Sequence, residues 1–192
     1  VALLLGASVV SSASTYLSPP WRAETWAGYL GVGAEDGPAT AATFHEPSGL
    51  ALGPAGELYI ADTLNSTVRV LSGSGAQATV TTLAGAPGVA GVSDGPAASA
   101  LFNLPFALVV AADGACYVAD TENHLVRKIS PAGQVTTLAG LAAQAGATDG
   151  TGPAARFRSP AGLALDATAG VLYIADTGNH LVRRLVLATG QV

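Results

Sequence analysis

The sequence is built from three similar segments, and this internal repeat constrains the fold more than any other feature. Each segment opens with an Asp-Gly pair at Asp36, Asp94 or Asp149, so that the units are spaced by 58 and then 55 residues. A Phe follows each of these aspartates eight positions later, at Phe44, Phe102 and Phe157. The runs LYIADT, CYVADT and LYIADT come next and end at Thr63, Thr121 and Thr177. Spacing that is kept through three units indicates one structural element used three times.

Within each unit, four short apolar stretches alternate with turn residues. In the first unit they read SGLAL, ELYIAD, TVRVL and TVTTLAG. The 24 glycines and 11 prolines of the 192-residue chain disfavour a helical bundle, because both residues weaken helices. Four short strands in a unit of this length are typical of a four-stranded antiparallel blade of a β-propeller. The sequence therefore predicts an all-β protein.

The chain also resembles the NHL-repeat family of β-propellers, whose repeat carries an Asn-His-Leu element. That element reads Asn123-His124-Leu125 in the second unit and Asn179-His180-Leu181 in the third, whereas the first unit has Asn65-Ser66-Thr67. The resemblance implies a propeller built from NHL-type blades. Members of the family serve as platforms for protein, RNA or ligand binding, and a minority of related propellers are metal-dependent enzymes.

We divide the chain by the phase of the repeat. Residues 1–25 form an apolar leader or a strand of a preceding segment, and residues 26–85 form an outer strand and the first blade. Residues 86–140 form the second blade, and residues 141–192 form an incomplete third blade. Because propellers close with about four to eight blades, we expect a sector of a larger ring. We expect further chain, rather than a second copy, to complete that ring.

Two sets of polar residues should meet on one rim of this sector: the Asp-Gly loops and the turns after the second strands. The recurring residues at and after these turns are Asp62, Asn65, Arg69, Asp120, Asn123, His124, Arg127, Asp176, Asn179, His180 and Arg183. A binding rim, with oxygen ligands for a cation, is one interpretation. Structural capping of the turns is the other, and recurrence in each unit favours it. We further predict that each arginine pairs with an aspartate of a neighbouring blade as a clamp.

The same pattern predicts no catalytic, cofactor-binding or metal-binding residues. His124 and His180 fall in turns, Ser66 takes their place in the first unit, and His45 lies in an inter-blade loop. A metal centre needs about three converging ligands, which these positions do not supply. Cys116 is the only cysteine and lies in the apolar run of a strand, which indicates a packed rather than a catalytic thiol.

These observations favour a non-enzymatic interaction or scaffold module that binds a partner protein through its rim loops. The alternative is a propeller enzyme of the metal-dependent lyase or lactonase type, with active-site ligands in other blades. Eight basic residues and a net charge of −5 argue against nucleic acid as a partner. The apolar run from Val1 to Val10 is too short to span a membrane.

Two features of the sequence bear on the cellular compartment. Asn65-Ser66-Thr67 is an N-glycosylation sequon, and a rim turn would leave Asn65 exposed. The apolar leader also resembles the end of a secretory signal peptide. Together they suggest a glycoprotein of the secretory pathway.

Overall fold

A computed structural model describes residues 23–192, in which the chain forms three antiparallel sheets. Most of the predicted apolar leader therefore lies outside the described residues. The strands follow one another as meanders, since each full strand pairs with the next one along the chain. The glycine-rich turns between the apolar runs allow these tight reversals.

The first sheet, here called the first blade, contains four full strands and one short strand. They are β1 (Gly37–Pro38), β2 (Pro47–Leu52), β3 (Leu58–Asp62), β4 (Thr67–Ser72) and β5 (Thr79–Ala84). Their order in the sheet is β1-β5-β4-β3-β2, so that the short strand from the Asp-Gly loop extends the outer edge. Sequence analysis did not predict this fifth strand, because two residues are too few to give a pattern.

The second blade repeats this arrangement and the third blade has three strands. The second contains β6 (Gly95–Pro96), β7 (Pro105–Val110), β8 (Cys116–Asp120), β9 (Leu125–Ile129) and β10 (Gln134–Ala139). The third contains β11 (Pro160–Asp166), β12 (Val171–Asp176) and β13 (Leu181–Val186). These sheets confirm the prediction of an all-β propeller sector.

Each turn between the second and third full strands is one turn of 3-10 helix that ends in a left-handed residue. In the first blade the turn spans Thr63–Asn65 and Ser66 has φ 56°, while His124 and His180 have φ 62° and φ 60°. Histidine, which occupies this position in two of the three turns, is among the residues that adopt the left-handed conformation more often than most. This conformation reverses the chain sharply and starts the next strand.

Steric contact also explains why an Ala-Gly pair closes each of the first two blades. Gly85 has φ +96°, and a Cβ atom on it would lie 2.7 Å from the carbonyl oxygen of Ser66. Gly140 has φ +99°, and its Cβ would lie 2.5 Å from the carbonyl oxygen of His124. Only glycine fits this close approach between the end of a blade and its own turn.

Among residues 23–192, two of the three core clusters lie between neighbouring blades, and the third lies within the first blade and its entry loop. Ala61 and Val68 of the first blade pack against Leu108, Val118 and Ile129 of the second. A second cluster joins the second and third blades in the same way. The strands β2 and β7 contact each other, as do β7 and β11, which places the first full strand of each blade on the inner side of the sector. Each blade therefore needs its neighbour to bury an apolar face.

Among residues 23–192, no helix is long and apolar enough to cross a membrane.

Candidate functional site at the loop rim

One edge of the sector gathers the loops that lead into the blades and the turns that follow β3, β8 and β12. Four polar side chains of each unit meet there, and we call each group a rim cluster. The three clusters are Asp36, Asp62, Asn65 and Arg69; Asp94, Asp120, Asn123 and Arg127; and Asp149, Asp176, Asn179 and Arg183. The structure thus brings the two predicted sets of polar residues onto one rim.

The second cluster shows how the arginine acts. Arg127 is fully buried, and its two terminal nitrogens each donate at 2.7 Å, one to Asp120 on β8 and the other to Asp94 in the loop. The same nitrogens donate to the carbonyl oxygens of Leu101 and Ser93 at 3.1 and 3.0 Å. The guanidinium carbon lies 5.1 Å from the centre of the Phe102 ring, within cation–π range. One side chain therefore ties the entry loop to the sheet.

The predicted clamp between blades is wrong. Asp120 and Arg127 flank one turn on adjacent strands of the same sheet, so they meet locally, and Asp94 belongs to the loop of that same unit. Threonines instead make polar links between neighbouring blades. The hydroxyl of Thr63 donates to the carbonyl oxygen of Pro105 at 2.8 Å, and that of Thr121 donates to Pro160 at 2.7 Å.

The aspartate at the end of β8 organises the loop around it. One carboxylate oxygen of Asp120 accepts from the backbone N–H of Asn103 at 2.7 Å, and the other accepts from the Asn123 amide at 2.8 Å. Burial raises the pKa of Asp120, while these donors and Arg127 oppose the shift. Burial also pushes the pKa of Asp36 upward, but hydrogen bonds from Thr82 and Arg69 outweigh it and the pKa is lowered.

In each unit, the loop held by the buried aspartate contains a strained residue directly before the proline that recurs in all three units. Glu46, Leu104 and Ser159 have φ 50°, 50° and 45°, in the left-handed region that is unfavourable for side chains of this kind. In the first unit, the preceding residue His45 donates its N–H to Asp62 at 2.8 Å and accepts from the N–H of Leu64 at 3.0 Å. The recurrence in three units indicates a structural role for this strain.

The asparagines fix the loops that project from the rim. The side-chain amide of Asn123 donates to the carbonyl oxygen of Gly91 at 2.6 Å, and Asn65 and Asn179 do the same to Gly33 and Gly146 at 2.7 and 2.6 Å. Asn65 also donates to Asp62 and is only 6% exposed. The predicted exposure of the sequon is therefore wrong, because its amide nitrogen is buried in two hydrogen bonds. The secretory location stays a prediction.

The predicted rim histidine His124 and the cysteine Cys116 both take part in packing of the fold. The N–H of Ser159 donates to Nδ1 of His124 at 3.2 Å, which joins the second blade to the loop of the third. Within residues 23–192, no three His, Cys, Asp or Glu side chains are placed to hold a metal ion. Burial raises the pKa of the Cys116 thiol to about 12, so that it stays protonated at neutral pH.

The loops held by the asparagines expose apolar side chains. We call the segments 29–35, 86–93 and 141–148 the loop rim. Tyr29, Leu30 and Val32 are 68%, 95% and 73% exposed, and Val89 and Val92 are 48% and 43% exposed. Exposed apolar residues on a firmly held surface are suited to contacts with another protein. Sequence analysis located these loops but missed their apolar residues, since no periodicity distinguishes them.

This fold and rim define an NHL-type β-propeller sector. A family model described as teneurin NHL domain matches residues 88–185, and the model of the NHL repeat matches residues 44–71. The chain belongs to the NHL-repeat family, which confirms the resemblance found in the sequence.

Curated relatives are much longer than this chain. Protein SUPPRESSOR OF QUENCHING 1, chloroplastic, of Arabidopsis thaliana is 37% identical over 161 residues, which cover 78% of this chain and 15% of that protein. NHL repeat-containing protein 2 of Homo sapiens is 32% identical over 162 residues, which cover 79% of this chain and 22% of that protein. The chain thus spans about a fifth or less of the length of these relatives.

Solved structures share the fold. An auxiliary nutrient binding protein from Bacteroides thetaiotaomicron superimposes with a TM-score of 0.63 and 25% identity, over 70% of this chain and 36% of that chain. A structural genomics protein of unknown function from the same organism gives a TM-score of 0.62 and 28% identity, over 68% of this chain and 32% of that chain. In both, the matched sector is about a third of a longer chain.

Proposed function

We propose that this sector is a non-enzymatic platform that binds a partner protein through the loop rim. The observation that carries the proposal is the combination of exposed Tyr29, Leu30 and Val32 with the hydrogen bonds that hold their loop. Asn65 fixes Gly33, and Arg69 binds Asp36 and the carbonyl oxygen of Glu35. Membership of the NHL-repeat family supports a role in protein interaction.

A loop fixed in this way loses little conformational freedom when a partner binds. Ordering flexible side chains and loops normally reduces affinity, so a held loop retains more of the contact energy. One of the exposed residues is Tyr29, and tyrosine is enriched at the positions of protein interfaces that contribute most binding energy. The alternative of a metal-dependent propeller enzyme stays a prediction, because its metal ligands were expected in blades other than these three.

The test is affinity capture from an extract of the source organism with cross-linking and quantitative mass spectrometry. Leu30→Asp introduces a charge at the most exposed rim residue, and we expect capture of the partner to fall. A loss of about 2 kcal/mol on placing this charge in the contact corresponds to a roughly 30-fold rise in Kd. Ala132→Asp is the matched control, because Ala132 is exposed in the turn between β9 and β10 at the opposite edge. Equal capture by both variants would contradict the proposal.

A further inference from the structure

A groove opens in the first blade beside the two turns that face away from the loop rim, and we call it the turn-side groove. Its volume is about 640 Å³, and it is lined by the turn between β2 and β3, the turn between β4 and β5, and adjoining residues of β3, β4 and β5. The partly buried Tyr59, together with Val70 and Leu83, forms an apolar wall. Among the described residues that line the groove, Glu57 is the only charged one.

Each blade has a tyrosine at the position of Tyr59, but the residue directly opposite it on the next strand differs between the blades. The cross-strand pairs are Tyr59 with Val70, Tyr117 with Lys128, and Tyr173 with Arg184. A long basic side chain therefore stands next to the tyrosine in the second and third blades. Among the three blades, only the first has a short apolar residue there.

The second blade shows which group this tyrosine can hold. The ammonium nitrogen of Lys128 lies 5.9 Å from the centre of the Tyr117 ring, within cation–π range. Tyr117 is only 6% exposed. An acidic residue is also close to this ring, because burial and the Asp113 carboxylate together raise the pKa of Tyr117. The second blade thus combines a tyrosine ring, a carboxylate and a lysine ammonium group in one place.

The first blade has the ring and the carboxylate without the ammonium group. The hydroxyl of Tyr59 donates to Glu57 at 3.4 Å, and burial together with the Glu57 carboxylate raises the pKa of Tyr59. Glu57 also accepts from the backbone N–H of Ala55 at 2.9 Å, and within residues 23–192 it forms no ion pair. Val70 is too short and apolar to supply a charge. The place that Lys128 fills in the second blade is therefore open in the first.

Gly53 gives the carboxylate its position beside the ring. A Cβ atom on Gly53 would collide with the Glu57 carboxylate and would lie 2.6 Å from the Tyr59 ring. The φ of Gly53 is outside the left-handed region, so space rather than backbone conformation favours glycine here. The second blade has Ala111 and Ala115 at the positions of Gly53 and Glu57. The glycine and the glutamate thus occur together in the blade that has no cation of its own at the tyrosine.

We propose that the turn-side groove binds a lysine side chain of a partner protein. The ammonium group lies over the Tyr59 ring beside Glu57, as Lys128 lies over Tyr117, and the aliphatic stem packs against Val70. One carboxylate matches one positive charge, which favours a lysine over a free diamine or polyamine. This contact lies at the edge opposite the loop rim, so the inference is independent of the partner proposed there.

An NMR titration of the isotope-labelled chain tests the groove with a defined probe, Nα-acetyl-lysine N-methylamide. We expect saturable shifts of the backbone N–H signals of Gly53, Tyr59 and Val70, because these residues surround the proposed ammonium position. The Nε-acetylated form of the same probe has the same stem without the charge and should give no saturable shifts there. Binding should weaken as salt is added, because the groove is open to water.

Variants of the groove separate its parts. Glu57→Gln and Tyr59→Leu should each raise the Kd of the lysine probe about 2- to 5-fold, because each removes one contact to the ammonium group. Val70→Lys should raise it at least about tenfold, because the new side chain occupies the place over the ring. Glu122→Gln is the matched control, since it removes an equal charge from an exposed turn at the loop-rim edge and should leave the Kd unchanged. Circular dichroism checks that each variant folds.

Four results would overturn the proposal. They are the absence of saturable shifts around Tyr59, equal binding of the Nε-acetylated probe, a Kd that Glu57→Gln leaves unchanged, and tighter binding of cadaverine than of the lysine probe at physiological salt. The last result would assign the groove to a free diamine. Leu30→Asp, which tests the loop rim, should not change the Kd of the lysine probe, so the two proposals can fail separately.

Discussion

Replacing Arg127 with methionine tests the reasoning about the rim clusters most directly. Methionine keeps much of the side-chain length but removes the charge, so that the fully buried Asp120 loses its counterion. Leaving one partner of a buried ion pair uncompensated costs about 3 to 5 kcal/mol. The second pair, with Asp94 at 46% exposure, contributes at most about 1 kcal/mol, because water screens it.

This loss is large compared with the total free energy of unfolding, which is about 5 to 15 kcal/mol for a typical domain. We therefore expect Arg127→Met to lower Tm by roughly 6 to 20 °C. Urea unfolding followed by circular dichroism measures the loss in free energy of unfolding. The m values of the variants are compared to check that the unfolding transition is the same. Arg184→Met is the matched control, because Arg184 is exposed on β13.

Two further measurements separate loss of charge pairing from loss of packing. Adding Asp120→Asn to Arg127→Met removes the uncompensated carboxylate and should recover part of the stability. Lowering the pH should also reduce the difference in stability between Arg127→Met and the parent protein, because the unpaired Asp120 becomes protonated. An Arg127→Met protein that is no less stable than Arg184→Met would refute the argument.

Three other predictions follow from single residues. Cys116, whose pKa is raised to about 12 by burial, should react with a thiol reagent at neutral pH only after unfolding. Asn65 should carry no glycan when the chain is expressed in a eukaryotic secretory host, as intact mass would show. Asp36→Asn should destabilise the protein by less than about 1 kcal/mol at neutral pH, since Asp36 is half exposed. Because the pKa of Asp36 is lowered, this difference should vanish as the pH falls through that pKa.

Each of these has a contrary outcome and a control. Rapid labelling of the folded chain would show that the thiol is accessible, and unfolded protein in urea is the reference. A glycan on Asn65 would mean that the two hydrogen bonds of its amide do not form in the cell. An Asp36→Asn protein with the same deficit at roughly pH 2 and pH 7 would contradict the assigned carboxylate contacts.

The sequence by itself determined the blades. Alternating apolar runs, turn glycines and the repeated Leu-Tyr-Ile-Ala-Asp-Thr element depend on neighbours that are close in the chain, so pattern alone located the main strands. The repeat also identified the recurring Asp, Asn and Arg residues as structural, because all three units carry them. The sequence could not show that the three phenylalanines pack against the guanidinium groups of the recurring arginines, although their fixed spacing indicated a shared structural role.

Tertiary structure decided which groups meet. Arg69 binds Asp36 across 33 residues of chain, and Thr63 reaches Pro105 across 42, and no local pattern specifies such contacts. The burial of Asn65 also depends on tertiary contacts. Its sequon predicted an exposed side chain, but the packed loop encloses its amide. Strands follow from the order of residues, whereas sites depend on the distances that folding sets between units.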